Sequence, residues 1–254
     1  MANWQDPQTT GIGAATVSVP RAARDVGLRS YMLSVYNYMA SGVLLTGIVA
    51  LLFANSPFFG AAFNIVQTAR GAALQPNLLG WAITFAPLVF VLIMNFGAAR
   101  MQTSTLQAMF WAFATVMGLS LSTILYAYTG ASVAQTFFAT AAAFLGLSVW
   151  GYTTKRDLSG FGTFLIMGVV GLIVAMVINM FLRSTGLDLA ISAIGVLIFA
   201  GLTAYDTQRI KSMYFAVSGH GEALAKSAVF GALQLYLDFI NMFLFLLRFM
   251  GNRR

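Results

Sequence analysis

Seven long apolar runs dominate this sequence and constrain its fold more than any other feature. A helix needs about 20 consecutive apolar residues to cross the roughly 30 Å hydrocarbon core of a bilayer. The runs are continuously apolar and do not alternate with a period of two, so they indicate helices and not a β-barrel. We predict spans over these approximate ranges: Tyr31–Asn55, Leu78–Phe96, Leu106–Tyr128, Ala131–Tyr152, Phe161–Leu182, Leu189–Tyr205 with a polar continuation, and Ala228–Gly251. The sequence therefore predicts an all-α integral membrane protein with seven transmembrane helices.

The composition excludes a soluble fold and several kinds of site. Of 254 residues, 59% are apolar and 8% are charged, whereas soluble domains carry about 25% charged residues. Seven acidic residues cannot supply the polar shell that such an apolar interior would need. The chain has no cysteine, which excludes disulfides, thiolate metal sites and cysteine nucleophiles. The single histidine, His220, lies between glycines and is interpreted as a solvated loop residue.

The first 27 residues differ in composition from the rest of the chain. They are mostly small and polar, and Arg21 and Arg24 stand before the first span. The first apolar run is too long for a signal peptide, and no small-residue cleavage site follows it. We predict a disordered tail over 1–27 and a single transmembrane domain over 28–254.

The orientation is predicted from Lys and Arg in the short loops. With the N-terminus in the cytoplasm, nine of the 14 cationic residues lie inside. They are Arg21, Arg24, Arg29, Arg100, Lys155, Arg156, Arg209, Lys211 and Lys226. Three of the remaining five, Arg248, Arg253 and Arg254, place positive charge at the outer C-terminus, so a last segment that re-enters and returns is the alternative. The cations are spread among loops, so the net charge of +7 does not indicate nucleic-acid binding.

Two aspartates interrupt the apolar runs. An ionised aspartate at the centre of a membrane helix costs roughly 2.5–3.5 kcal/mol, so such a residue indicates function. Asp238 lies within the seventh run and shares a helix face with Gln234 and Asn241, which should face protein or water. Asp206 ends the sixth run and is followed by polar residues, so an interfacial position is the alternative for it.

The two aspartates belong to antiparallel neighbouring spans, at estimated depths of about 9 Å for Asp238 and about 5 Å for Asp206. If they meet, the two carboxyl groups cannot both ionise cheaply and would share one proton. Such a pair would act as a proton-controlled latch and could offer oxygen ligands to Ca²⁺. Arg100, at the end of the second span, is a candidate counter-charge, with an ordinary loop arginine as the alternative.

Two segments around these aspartates resemble the paired signatures of the Bax inhibitor (transmembrane BAX inhibitor motif) family of membrane proteins. They are Ala204–Ile210, which reads AYDTQRI, and Leu235–Leu244, which reads LYLDFINMFL. Leu28–Ala50 and Ser104–Leu125 are similar to earlier spans of the bacterial members. The first 27 residues, and the long first loop with Pro57 and Pro76, have no counterpart in this resemblance.

The resemblance implies a fold in which the last of seven helices is central and surrounded by the other six. It implies a pH-sensitive leak of cations, Ca²⁺ in particular, and no enzyme activity or resident cofactor. It assigns the gating and ion-binding pair to Asp206 and Asp238 and the associated arginine to Arg100. Gln234 and Asn241, which share a helix face with Asp238, are expected to support the pair or to line the pore. The expected surroundings are a bacterial inner membrane with its lipids, Ca²⁺ and protons, and a membrane protease as a partner.

Two other functions are open to such a chain. An intramembrane aspartyl protease also uses two aspartates on adjacent spans, but it carries Gly-x-Gly-Asp at the second one. Here the second reads Leu-Tyr-Leu-Asp and no proline follows Asp238. A regulatory protein that binds a membrane protease or another membrane complex would use the polar tail, Met1–Ala23, for contact.

Overall fold

A computed structural model describes residues 21–68, 71–98 and 100–253. The elements in chain order are α1 (Arg21–Ala54), α2 (Pro57–Ala62), β1 (Phe63–Thr68), β2 (Gly71–Pro76), α3 (Leu78–Gly97), α4 (Thr103–Ala127), α5 (Gly130–Thr153), α6 (Ser159–Leu182), α7 (Thr185–Val217) and α8 (Gly221–Met250). In this described part, seven helices are long and apolar enough to cross a membrane, all except α2. The prediction of an all-α membrane protein with seven spans is confirmed.

The helix ends differ from the predicted spans most clearly at α1, α7 and α8. α7 continues to Val217, because residues 206–217 contain no glycine or proline that would stop a helix. α8 begins at Gly221, and its polar first turns carry an ion pair of 2.9 Å between Glu222 and Lys226. α1 begins at Arg21, so the last part of the predicted tail is helical, while residues 1–20 of that tail lie outside the described residues. Hydropathy therefore located the apolar part of each helix and not its ends.

The first loop folds as a small ordered unit, which the sequence analysis did not predict. Pro57 opens α2, a position where its missing N–H costs nothing. The antiparallel β1–β2 hairpin follows, and the Asn77 side chain accepts a hydrogen bond of 3.1 Å from Gly80 N to cap α3. Phe59 and Phe63 form a separate apolar cluster that packs against Tyr126 near the end of α4.

α8 is the central helix of the bundle. Of its apolar window 67% is buried, against at most 39% for any other described span. It packs directly on α7, α1, α5 and α4, whereas α3 packs mainly on α4, and α6 packs on α7. The prediction that the last helix is central is confirmed, with four helices in contact with it and α3 and α6 in an outer layer.

α8 is one continuous helix of 30 residues, about 45 Å long and sufficient to cross a bilayer without re-entering. Two of the cations that conflict with the predicted orientation, Arg248 and Arg253, are paired in the fold. Arg248 Nε lies 3.2 Å from Asp188 Oδ1, and Arg253 lies 3.7 Å from Asp188 Oδ2. The acidic residue at the start of α7 therefore offsets part of this positive charge.

A buried hydrogen-bond chain joins the central helix to two others. The hydroxyl of Tyr236 in α8 lies 2.6 Å from Thr46 Oγ1 in α1, which in turn lies 2.8 Å from the carbonyl oxygen of Ala114 in α4. Thr46 has one hydroxyl hydrogen and donates it to that carbonyl, so Tyr236 donates to Thr46. The chain fixes the relative positions of α1, α4 and α8.

We expect Thr46→Val to destabilise the protein by about 2 kcal/mol, because it leaves the Tyr236 hydroxyl buried without an acceptor. Tyr236→Phe should cost less, about 0.5–1.5 kcal/mol, because it removes the donor as well. Thr115→Val is the control, since Thr115 Oγ1 bonds within its own helix, at 2.9 Å from the carbonyl oxygen of Trp111. Thermal unfolding in detergent measures all three, and a Thr46→Val protein as stable as the control would contradict the assigned bond.

Candidate functional site

Asp206 lies within α7 and is 3% exposed. The helix continues for about three turns beyond it, to Val217. Asp206 is therefore enclosed by protein, whatever its depth in the membrane.

Asp238 lies in α8 and is 4% exposed. α7 and α8 form the most extensive helix–helix contact among the described elements. A Cβ atom on Gly231 of α8 would lie 3.1 Å from Ile210 of α7, so glycine at that position lets the two helices pack closely. This close packing brings the two aspartates together.

Asp206 and Asp238 lie close enough for their carboxyl groups to act on each other. Gln234, one turn before Asp238, donates from Nε2 to Asp206 Oδ1 at 3.0 Å. Asp238 Oδ2 is buried and has no hydrogen-bond partner among the described residues. A carboxylate can only accept, so contact between two carboxyl groups is a hydrogen bond only when one of them carries a proton. A direct hydrogen bond between Asp206 and Asp238 would therefore require one shared proton.

The charges around this pair are few. Among the described residues, Arg209, three positions after Asp206 on α7, is the cation that acts electrostatically on that carboxyl group. Its side chain is exposed, so solvent and salt screen it. From α5 the nearest polar contribution is a neutral hydroxyl, because Ser148 Oγ lies 3.4 Å from Thr207 Oγ1, next to Asp206. Two ionised carboxylates would therefore have little positive charge to balance them.

Arg100 is not brought to the pair. It is exposed and follows α3, which packs on α4, α2 and β2 but has no extended contact with α7 or α8 in the described structure. Within the same described part, no ion pair joins Arg100 to either aspartate. The predicted role of Arg100 as a counter-charge finds no support in this arrangement, because α3 lies in the outer layer.

Gln234 and Asn241 flank Asp238 on the predicted face, and of these two Gln234 reaches the pair. Asn241 Nδ2 donates to a carbonyl oxygen four residues earlier in its own helix, at 2.8 Å. It lines a cavity of about 340 Å³ together with Tyr128 and Arg248, towards the C-terminal end of α8. Asn241 therefore lines a cavity about two helical turns further along α8 than Gln234.

As a cation site, the pair offers at most four carboxylate oxygens, whereas Ca²⁺ takes about six to eight oxygen ligands. The described residues contain no group of three or more His, Cys, Asp or Glu side chains. A cation at Asp206 and Asp238 would keep most of its water, which suits an ion in transit better than a resident one. The predicted transient contact with Ca²⁺ stays a prediction.

Polar residues that were not singled out from the sequence fix α7 to the end of α5 and to the loop between α5 and α6. Gln208 accepts from Leu158 N at 2.9 Å and donates to the carbonyl oxygen of Arg156 at 2.8 Å. Lys211 Nζ donates to the carbonyl oxygen of Tyr152 at 2.7 Å and lies 4.7 Å from the centre of its ring. Free carbonyls at a helix end favour a cation, but the sequence does not show which helix end Lys211 reaches. These contacts hold the part of α7 that carries the aspartate.

Comparison with known proteins agrees with this architecture. The family model described as "Inhibitor of apoptosis-promoting Bax1" matches residues 28–254. An uncharacterized protein of Caulobacter vibrioides is 47% identical over 230 residues, which cover 91% of each chain. The inner membrane protein YbhL of Escherichia coli is 43% identical over 236 residues, covering 92% of this chain and 95% of the relative. The chain therefore belongs to the Bax inhibitor family of membrane proteins.

Proposed function

We propose that this protein is a pH-sensitive cation leak channel of a bacterial inner membrane, and that Ca²⁺ is among the ions it passes. The observation that carries the proposal is the proximity of two buried carboxyl groups, Asp206 and Asp238, on adjacent helices. A hydrogen bond between them needs a proton, and the pair lies between the central helix and the helix packed most extensively on it.

The sign of the pH response follows from proton linkage. The packed state holds one more proton than a state in which both carboxyl groups are ionised and apart. A fall in pH therefore favours the closed state, and a rise in pH favours the open one. For one proton the ratio of the two states changes by at most about tenfold per pH unit. The leak should increase as the pH rises.

Ionisation of the pair would also create the attraction for a cation. Two negative charges at Asp206 and Asp238 repel each other, and the exposed Arg209 offsets them only in part. A divalent cation relieves that repulsion, and hydrated Ca²⁺ accepts carboxylate ligands with flexible geometry. The same event that separates α7 from α8 would therefore make the gap attractive to the ion.

The proposal includes a cytoplasmic N-terminus, supported by the excess of Lys and Arg in the loops on that side. In this orientation the loop between α7 and α8 is cytoplasmic. The polar residues Thr207 to Lys211 then lie between the pair and the cytoplasm, so cytoplasmic pH would control the leak. The name of the Escherichia coli relative supports an inner-membrane location.

The test is Ca²⁺ flux through the full chain in liposomes that contain a Ca²⁺-sensitive dye, measured from acidic to neutral pH. We expect flux above that of empty liposomes, rising with pH on the side that the α7–α8 loop faces. Flux equal to that of empty liposomes at every pH, or flux that does not change with pH, would overturn the proposal.

An intramembrane aspartyl protease receives no support from the packing. Such an enzyme must admit a peptide bond and a water molecule between its two aspartates. Aspartyl proteases also hold two aspartates that share one proton, so proximity does not distinguish the two functions. Burial does, since Asp206 and Asp238 are 3% and 4% exposed. We propose no catalytic role for the pair.

A further inference from the structure

α1 and α5 are separated by a gap that runs along the outside of the bundle. α1 packs on α4, α7 and α8, and α5 packs on α7 and α8, but the described structure shows no extended contact between α1 and α5. Two cavities open along this gap, which we call the α1–α5 seam and define by Arg29–Leu51 of α1 and Gly130–Tyr152 of α5. Phe239, Ile240 and Phe243 of the central helix line one of the two cavities.

The cavity at one end of the seam combines a cation with aromatic side chains. It has a volume of about 360 Å³ and is lined by Arg29, Tyr36, Tyr152 and apolar residues. Lys211 lies against the ring of Tyr152, with its ammonium nitrogen 4.7 Å from the ring centre. Cations and tyrosines in this arrangement are typical of the headgroup level of a membrane, where each cation attracts anionic lipid.

The cavity further along the seam is almost entirely apolar. Its volume is about 320 Å³, and its lining includes Val43, Phe137, Phe239 and Ile240. Val43 lies 14 positions after Arg29, which corresponds to about 21 Å along α1. That is about the thickness of one headgroup layer and half of the hydrocarbon core together. An acyl chain whose headgroup lies at Arg29 would therefore end at the mouth of this second cavity.

We propose that the α1–α5 seam binds one anionic glycerophospholipid, with its headgroup at Arg29 and an acyl chain along the seam. The geometry selects an anionic headgroup because Arg29 is the charged residue that lines the first cavity. It selects an acyl chain because the second cavity presents apolar side chains.

A lipid in the seam would lie close to the aspartate pair. Ser148 lines the first cavity, and its hydroxyl oxygen lies 3.4 Å from that of Thr207, the neighbour of Asp206. Phe239 lines the second cavity and is the neighbour of Asp238. The lipid site stands independently of the proposed channel function, although an occupied seam would restrain the same two helices.

The test is native mass spectrometry of the full chain in detergent, titrated with phosphatidylglycerol or with phosphatidylcholine of identical acyl chains. We expect one phosphatidylglycerol to be retained, with a preference over phosphatidylcholine of about fivefold, the effect of one cation near an anionic lipid surface. Arg29→Gln should remove the preference. Val149→Trp should weaken the retention of both lipids, because Val149 lines the first cavity and is 61% exposed.

Two matched controls accompany these variants. Arg156→Gln removes an exposed cation that lines a different cavity, and Val170→Trp adds the same bulk at a position on α6 that is 57% exposed. Both should behave as the wild type. Equal retention by the Val149→Trp and Val170→Trp proteins, or an unchanged preference in Arg29→Gln, would overturn the proposal. Either result would mean that the retained lipid is annular lipid, bound around the bundle and not in the seam. A dimer that Val149→Trp disperses would identify a second copy as the occupant and would overturn it as well.

Discussion

Replacement of Asp238 by asparagine is expected to abolish the rise of Ca²⁺ leak with pH. The asparagine amide can donate to Asp206 without titrating, so the contact between α7 and α8 no longer depends on a proton. In the wild type, the ratio of open to closed states changes by up to about tenfold per pH unit. In the variant, the Ca²⁺ flux should stay nearly constant with pH, at the level that the wild type shows at acidic pH. Flux in liposomes as a function of pH measures this.

Asp206→Asn tests the same pair by a substitution at its other residue. Its amide nitrogen can donate to Asp238, while its Oδ1 still accepts from Gln234, as the carboxylate does at 3.0 Å. The pH dependence should be lost here too. Size-exclusion chromatography and thermal unfolding establish that each variant is folded, so that a flat curve reports the pair and not a lost structure.

Asp157→Asn is the matched control, a carboxylate outside the membrane-spanning helices. Hydrogen bonds from the side chain and the backbone N–H of Ser159 hold the pKa of Asp157 below its ordinary value. A group with a lowered pKa stays ionised through the acidic-to-neutral range and titrates only below it. Its replacement should leave the flux curve unchanged. If this control flattens the curve, or if neither asparagine variant of the pair does, the pair is not the switch.

The seven spans and the aspartate pair could be predicted from the sequence because each rests on a local signal. A run of about 20 apolar residues is visible without knowledge of its neighbours. Asp206 and Asp238 stood out because ionised carboxylates are costly within such runs. Their proximity was expected from similar depth on consecutive antiparallel helices, and α7 and α8 do pack extensively on each other.

The remaining features depend on which helices touch, and apolar runs do not carry that information. Arg100 had a suitable position along its span, but α3 packs in the outer layer, away from α7 and α8. Gln208 and Lys211 bond to backbone carbonyls of the segment 152–156, which any sequence would supply, so no pattern of side chains marks those contacts. For the same reason the α1–α5 seam could not be predicted from the sequence.

The close approach of α5 to α7 makes the stability of the protein sensitive to substitution at Gly151. A Cβ atom on Gly151 would lie 2.9 Å from Cα and 3.0 Å from the carbonyl carbon of Ala204, and it would also meet the carbonyl oxygen of that residue. These are backbone atoms of a packed helix, so they cannot turn aside as a flexible side chain could. Gly151→Ala should force the two helices apart at a cost of about 3 kcal/mol, the upper part of the range for overpacking.

Gly146→Ala, the same substitution in the same helix, should have the opposite sign. Nothing lies within 4 Å of the Cβ position at Gly146, and alanine favours a helix over glycine by up to about 1 kcal/mol. Thermal unfolding of both proteins in one detergent should therefore show a clear loss of stability for Gly151→Ala and no loss for Gly146→Ala.

Because Gly151 lies about one turn from Ser148, which contacts Thr207 beside Asp206, Gly151→Ala should also shift the pH at which the leak rises. Equal unfolding temperatures for the two variants would show that α5 and α7 are not in backbone contact, and the enclosure of the pair from that side would have to be abandoned.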